Sequence, residues 1–71
     1  MKLCYYAETD SLYIDLKDKP SVDSREIVSG VVADFDENGN LVGIDIDQAS
    51  QKLDLSTLET EALPAFRLKV G

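Results

Sequence analysis

Asn38-Gly39 stands between two runs that alternate apolar and polar residues, Val31 to Asp36 and Leu41 to Asp47. No other stretch constrains the fold so tightly, because a two-residue type I′ hairpin turn needs positive φ at both central positions and these residue types accept it. The turn sets Phe35 opposite Val42, Ala33 opposite Ile44 and Val31 opposite Ile46, all on one apolar face. The other face collects Asp34, Asp36, Asp45 and Asp47 with Val32, Leu41 and Gly43, the composition of a solvated or partly covered face. A three-residue turn with a glycine bulge is the competing geometry. It places Phe35 opposite Leu41 and Val31 opposite Asp45, and it sorts the sides less well.

The same stretch, DFDENGNLVGID, also matches a calcium loop in part: Asp34, Asp36, Asn38, Gly39 and Asp45 fall at EF-hand positions 1, 3, 5, 6 and 12. An EF-hand needs helices on both sides of its loop, whereas Gly30-Val31-Val32-Ala33 and Ile44-Asp45-Ile46 are β-branched and alternating. In the hairpin Asp45 lies across from Val32, too far from the turn to close a loop. The reading is therefore a strand pair with no metal ligands assigned, and weak divalent-cation binding at 34–45 is kept only as a remote alternative.

The flanks extend the sheet. Lys2 to Tyr6 and Leu12 to Leu16 read as a first hairpin turning at Ala7 to Asp10, and Arg25 to Val28 as a further short strand. Lys17 to Ser21 contains Pro20 and is a loop. Ser56-Thr57-Leu58-Glu59 has the capping-box form and predicts a short helix from Ser56, stopped by Pro64 and too short to stand without lying on the sheet. Phe66 to Val70 alternates as a terminal edge strand with Arg67 and Lys69 outward. The expected class is α+β, mainly β: an antiparallel sheet of five to six strands with one short C-terminal helix packed on it, as a single small domain spanning 1–71.

A chain of 71 residues has little apolar surface to bury, and small scaffolds close their stability balance with a disulfide, a metal or a partner chain. One cysteine, Cys4, excludes an intrachain disulfide and is read as packing, while the absence of histidine removes the common zinc ligand sets. A homodimer is the expectation left by elimination. A net charge of −7 and a pI near 4.2 argue against nucleic acid, and no apolar run approaches the length of a membrane span. With Met1 leading and no signal-peptide apolar region, the expected location is cytoplasmic. The acid is concentrated between Gly30 and Asp47, where Asp34, Asp36, Glu37, Asp45 and Asp47 meet no lysine or arginine. That face is the candidate partner-binding surface.

Three blocks, Tyr6-Ala7-Glu8-Thr9-Asp10-Ser11-Leu12-Tyr13-Ile14, then Val31-Val32-Ala33-Asp34-Phe35-Asp36-Glu37-Asn38-Gly39, then Val42-Gly43-Ile44-Asp45-Ile46 with Ala49-Ser50, resemble a prokaryotic family. It is the domain of unknown function numbered twenty-two eighty-three, and the likeness runs from about Leu3 to Ser50. This chain departs from it at Ala7, where the family usually has aspartate after the tyrosine. The resemblance implies a small antiparallel β domain and no catalytic residues. It also implies that some relatives are encoded beside small toxin-like partners, which brings an antitoxin or other protein-binding role into view.

The functional expectation is a non-enzymatic homo-oligomeric structural or interaction module without a cofactor. The alternative is an antitoxin-like module that neutralises a small basic partner through the acidic face, where opposite charge speeds encounter. Catalysis is not expected, since carboxylates spread along an open strand face have no pocket to drive their pKa values apart. Glu8 and Asp10 are read as acids bonding turn amides, and Tyr5, Tyr6 and Tyr13 as sheet residues with wet hydroxyls.

Overall fold

The computed structural model describes residues 1–64. Five strands, β1 (Lys2–Tyr6), β2 (Ser11–Asp15), β3 (Asp23–Val28), β4 (Val31–Phe35) and β5 (Leu41–Ile46), precede one helix, α1 (Ala49–Lys52). They form one antiparallel sheet in the order β1-β2-β5-β4-β3. The consecutive strands β3, β4 and β5 form a meander, and β2 lies beside β5, so the loop from Leu16 to Val22 carries the chain past the meander to its far edge. That is a Greek-key arrangement. The expected class, mainly β with one short helix after the strands, is the one found. The terminal strand expected at Phe66 to Val70 lies outside the described residues.

The central hairpin combines the two geometries that the sequence set in competition. Val31 pairs Ile46, Val32 pairs Asp45 and Ala33 pairs Ile44, the register of the two-residue turn, but Phe35 pairs Leu41 across a shift between Asp34 and Phe35. At the tip, Asp36 N–H donates to the Asn40 carbonyl at 2.9 Å and Gly39 N–H to the Asp36 carbonyl at 3.0 Å, which closes a loop of Glu37, Asn38 and Gly39. Gly39 has φ of 80° and Asn38 is not in the left-handed region, so the type I′ turn expected from Asn-Gly is not formed. The three-residue loop with a left-handed glycine wins at the tip. One extra residue in β5 then restores the alternation, so the apolar set still falls on one face.

That face holds the core. Leu12, Ala33, Val42, Ile46 and Ala49 are buried, with Ile14, Val31 and Ile44 packed against Leu12, Ile46 and Ala49. Phe35 is half-buried. The apolar face of the central hairpin is thus in part closed within one chain, with Val31, Phe35 and Ile44 half-buried.

The helix is not where the capping box placed it. Ser56 does not start a helix: its N–H donates to Asp54 Oδ1 at 3.0 Å, its hydroxyl donates to the same atom, and Thr57 Oγ1 donates to Asp54 Oδ2 at 3.4 Å. An aspartate two residues upstream offers these donors a local turn that competes with the helix. Ala62 is left-handed at φ 56°, and Leu55, Leu58 and Leu63 stay exposed, so a helix from Ser56 packed down on the sheet is not formed. The helix forms earlier, at Ala49–Lys52, because fully buried Ala49 seats it against Leu12 and Ile46. Four residues cannot be helical alone, so tertiary contacts hold it.

Candidate functional site

The sheet side away from the core carries the acids, but the hairpin does not present them as one surface. Asp34 on β4 and Asp45 on β5 are half-buried there, and Asp47 is exposed just past β5. Asp34 already has partners. Tyr13 Oη on β2 donates to its Oδ2 at 3.0 Å, and Ser24 Oγ on β3 donates to its Oδ1 at 2.6 Å. To reach β4 from β2, the Tyr13 ring must cross β5, and it does so over Gly43. A Cβ on Gly43 would stand 2.7 Å from Tyr13 Cζ, inside any real contact. Tyr13, Gly43, Asp34 and Ser24 therefore tie four adjacent strands together. Burial, then the bond to Asp34, raises the Tyr13 hydroxyl above its ordinary pKa, so it stays a donor.

Among the described residues Asp45 has no such partner. Burial raises its pKa first, followed by repulsion from Asp47 and Asp34. Asp47 Oδ1 accepts a 3.3 Å bond from Ser11 Oγ. Asp36 is buried and turned inward, where its carboxylate accepts Asn38 N–H and Asn40 N–H, each at 2.9 Å. Those bonds, the one to Asn40 first, hold its carboxyl below the ordinary range. Asp36 thus shapes the loop tip and is not displayed to a partner. Glu37 projects from the tip, exposed. Among the described residues the one ion pair is Arg25 with Asp23; Lys52 Nζ donates to the backbone carbonyl of Asp47 and not to its carboxylate, and Lys19 acts on Asp36 only from a distance. The calcium-like spacing does not gather its acids: Asp45 pairs Val32, Asp36 serves the turn, and no three potential metal-ligating side chains converge among the described residues.

A second junction, which the sequence reading treated as an ordinary turn, joins the first hairpin to α1. Asp10, left-handed at φ 52°, accepts Ala49 N–H at its carbonyl (2.9 Å). Its carboxylate accepts Ser50 N–H at 3.0 Å, Ser50 Oγ–H at 2.6 Å and Tyr5 Oη–H at 2.8 Å. Gln48, at the N-cap, makes no side-chain cap bond, so Asp10 caps the helix from across the fold. The Ser50 hydroxyl, then that of Tyr5, lowers its pKa. The signal was the joint presence of Asp10-Ser11 and Ala49-Ser50 in the recognised blocks. Separated by most of the chain, they gave no local pattern. Tyr5 and Tyr13 use their hydroxyls in these bonds and are not simply wet.

Beyond α1, Leu53, Asp54, Leu55, Thr57 and Leu58 form one wall of an apolar groove of about 750 Å³, and Leu3, Tyr5, Leu12 and Ile14 form the other. Cys4 is a half-buried free thiol. No helix among the described residues is long and apolar enough to cross a membrane.

The family described as Protein of unknown function (DUF2283) matches residues 2–50, which takes in the whole sheet and the start of α1. The chain belongs to that family. No curated protein and no solved structure matches it.

Proposed function

We propose that this member of DUF2283 is a non-enzymatic interaction module that works as a self-associated assembly. The observation that carries this reading is how much apolar side chain one copy leaves open. Leu3, Tyr5, Leu55 and Leu58 are exposed around the groove, and Val22, Ile27 and Val28 are exposed at the β3 edge. Soluble monomers rarely leave apolar patches beyond a few hundred Å² uncovered, and a two-fold dimer is the commonest way to cover them. The non-enzymatic part is supported by the placement of Asp34 and Asp45, which sit on the sheet face away from the apolar groove and do not line it. Sedimentation equilibrium at micromolar concentration tests the reading. A mass rising toward two chains is expected, and the mass of one chain at every concentration overturns it.

One observation favours a second use of the same module. Asp45 is partly desolvated and repelled by Asp34 and Asp47, and a cationic partner seated there relieves that repulsion. A small basic protein is the partner of matching chemistry. Affinity capture with the unaltered chain and with Asp45→Asn/Asp47→Asn should recover one basic protein with the first and lose it with the second. Equal recovery by both rejects the acidic face as its seat.

A further inference from the structure

β3 is an outer strand of the sheet, and all six of its residues, Asp23 to Val28, are exposed. Open edges recruit other strands unless something blocks them. Here the bulge lies at one end, between Glu26 and Val28, and leaves Asp23 to Glu26 in regular register with β4. Ser24 N–H donates to Asp23 Oδ1 at 3.0 Å, a makeshift acceptor from its own neighbour. Arg25 Nε lies 3.5 Å from Asp23 Oδ2, with the two side chains 71% and 56% exposed, and the Arg25 guanidinium sits 5.1 Å from the centre of the Phe35 ring, which holds it on the same face as Asp23 while leaving the pair open to solvent.

Building on the self-association proposed above, we infer that two copies join β3 to β3 antiparallel about a two-fold axis at Ser24. The axis of such a pair is normal to the sheet and keeps each face on its own side, so residues that meet must share a face. Asp23 and Arg25 do, since they stand opposite Phe35 and Ala33 on β4. An axis at Asp23, Arg25 or Glu26 sets that charge against itself. The axis at Ser24 sets Asp23 of each copy opposite the partner's Arg25, and sets Val22 opposite the partner's Glu26. The overlap ends before the bulge. The backbone of the partner's Ser24 then takes the Ser24 N–H, and the Asp23 carboxylate turns to the partner's Arg25. The two sheets continue as one of ten strands, with the acidic faces on a common side.

Charge exchange tests the register. Opposite-charge pairs facing across strands stabilise pairing and like pairs oppose it. Asp23→Arg alone and Arg25→Asp alone each turn both cross-pairs repulsive, and each should weaken self-association by at least about tenfold. An equimolar mixture of the two variants should recover a heterodimer, because each carries what the other lacks. In the unaltered protein, exchange of the Ser24 amide should slow as concentration rises, a readout that needs no variant to fold. Unchanged association of the single variants, no recovery in the mixture, or a Ser24 amide indifferent to concentration overturns the inference. If the chain associates and Leu58→Glu abolishes association while the charge variants do not, the β3 assignment fails and the self-association reading stands. If the unaltered chain stays single at every concentration, the self-association reading fails first.

Discussion

Gly43→Ala tests whether Tyr13 ties the sheet together. Gly43 lies in β5, bonded to β2 on one side and β4 on the other, so its backbone has no room to retreat. Its φ is not positive, and in an ordinary strand site alanine is preferred to glycine by roughly 0.5–1 kcal/mol. Here the new Cβ falls 2.7 Å from Tyr13 Cζ and 3.3 Å from Cε1, and the ring must swing away. Such overpacking costs about 1–3 kcal/mol, and the swing also breaks the 3.0 Å bond to Asp34. The net expectation is destabilisation by about 1–2 kcal/mol, a fall of roughly 5–15 °C in Tm for a domain of this size. In a Tyr13→Ala background the obstacle is gone, so Gly43→Ala should stabilise by about 0.5–1 kcal/mol, giving a coupling of about 2 kcal/mol across the double-mutant cycle. Urea titrations of the four proteins measure it. Tyr13→Phe separates the causes, since the ring then remains without its hydrogen bond and Gly43→Ala should still destabilise. Stabilisation by Gly43→Ala in the unaltered background, or a coupling near zero, refutes the arrangement.

Val42, 2% exposed, should lose about 2 kcal/mol as alanine in urea titration, because its two deleted methyl groups leave a cavity beneath a pinned strand. Asp10→Ala and Ser50→Ala should each free α1, increasing amide exchange at Ala49 to Lys52, whereas Ser56→Ala should leave exchange there unchanged. The carboxyls of Asp10 and Asp36 are held below the ordinary aspartate value of 3.8, so their contribution to stability is complete above that value and is lost as pH falls through the lower folded-state values. Asp45 is raised, so its ionisation opposes folding at neutral pH. Asp45→Asn should therefore stabilise at pH 7, with the gain disappearing as acidification protonates Asp45 in both states, a trend that thermal melts across pH will follow.

Alternation along Val31 to Asp36 and Leu41 to Asp47 was enough to determine the strands, their pairing and the face that enters the core. Period-two burial is a local property, and a one-residue slip would have exposed every apolar side chain in the pair. The tip was less legible, because the loop geometry is decided with the bulge that follows it. Asn38-Gly39 announces a turn without counting its residues. Nor could local pattern place the helix. Ser56 to Glu59 satisfies every near-neighbour rule for a helix start, yet Asp54 claims its serine. The real helix has no cap of its own and exists because Asp10, from the far end of the chain, supplies one. The acidic residues divide for the same reason. The sequence sets their charge and alternation, while only the fold turns Asp36 into its own loop, binds Asp34 to Tyr13 across Gly43, and sets Asp45 beside Asp47, which repels it. Tertiary structure decides what each carboxylate does because hydrogen bonds between distant segments depend on distances in space that spacing along the chain does not encode.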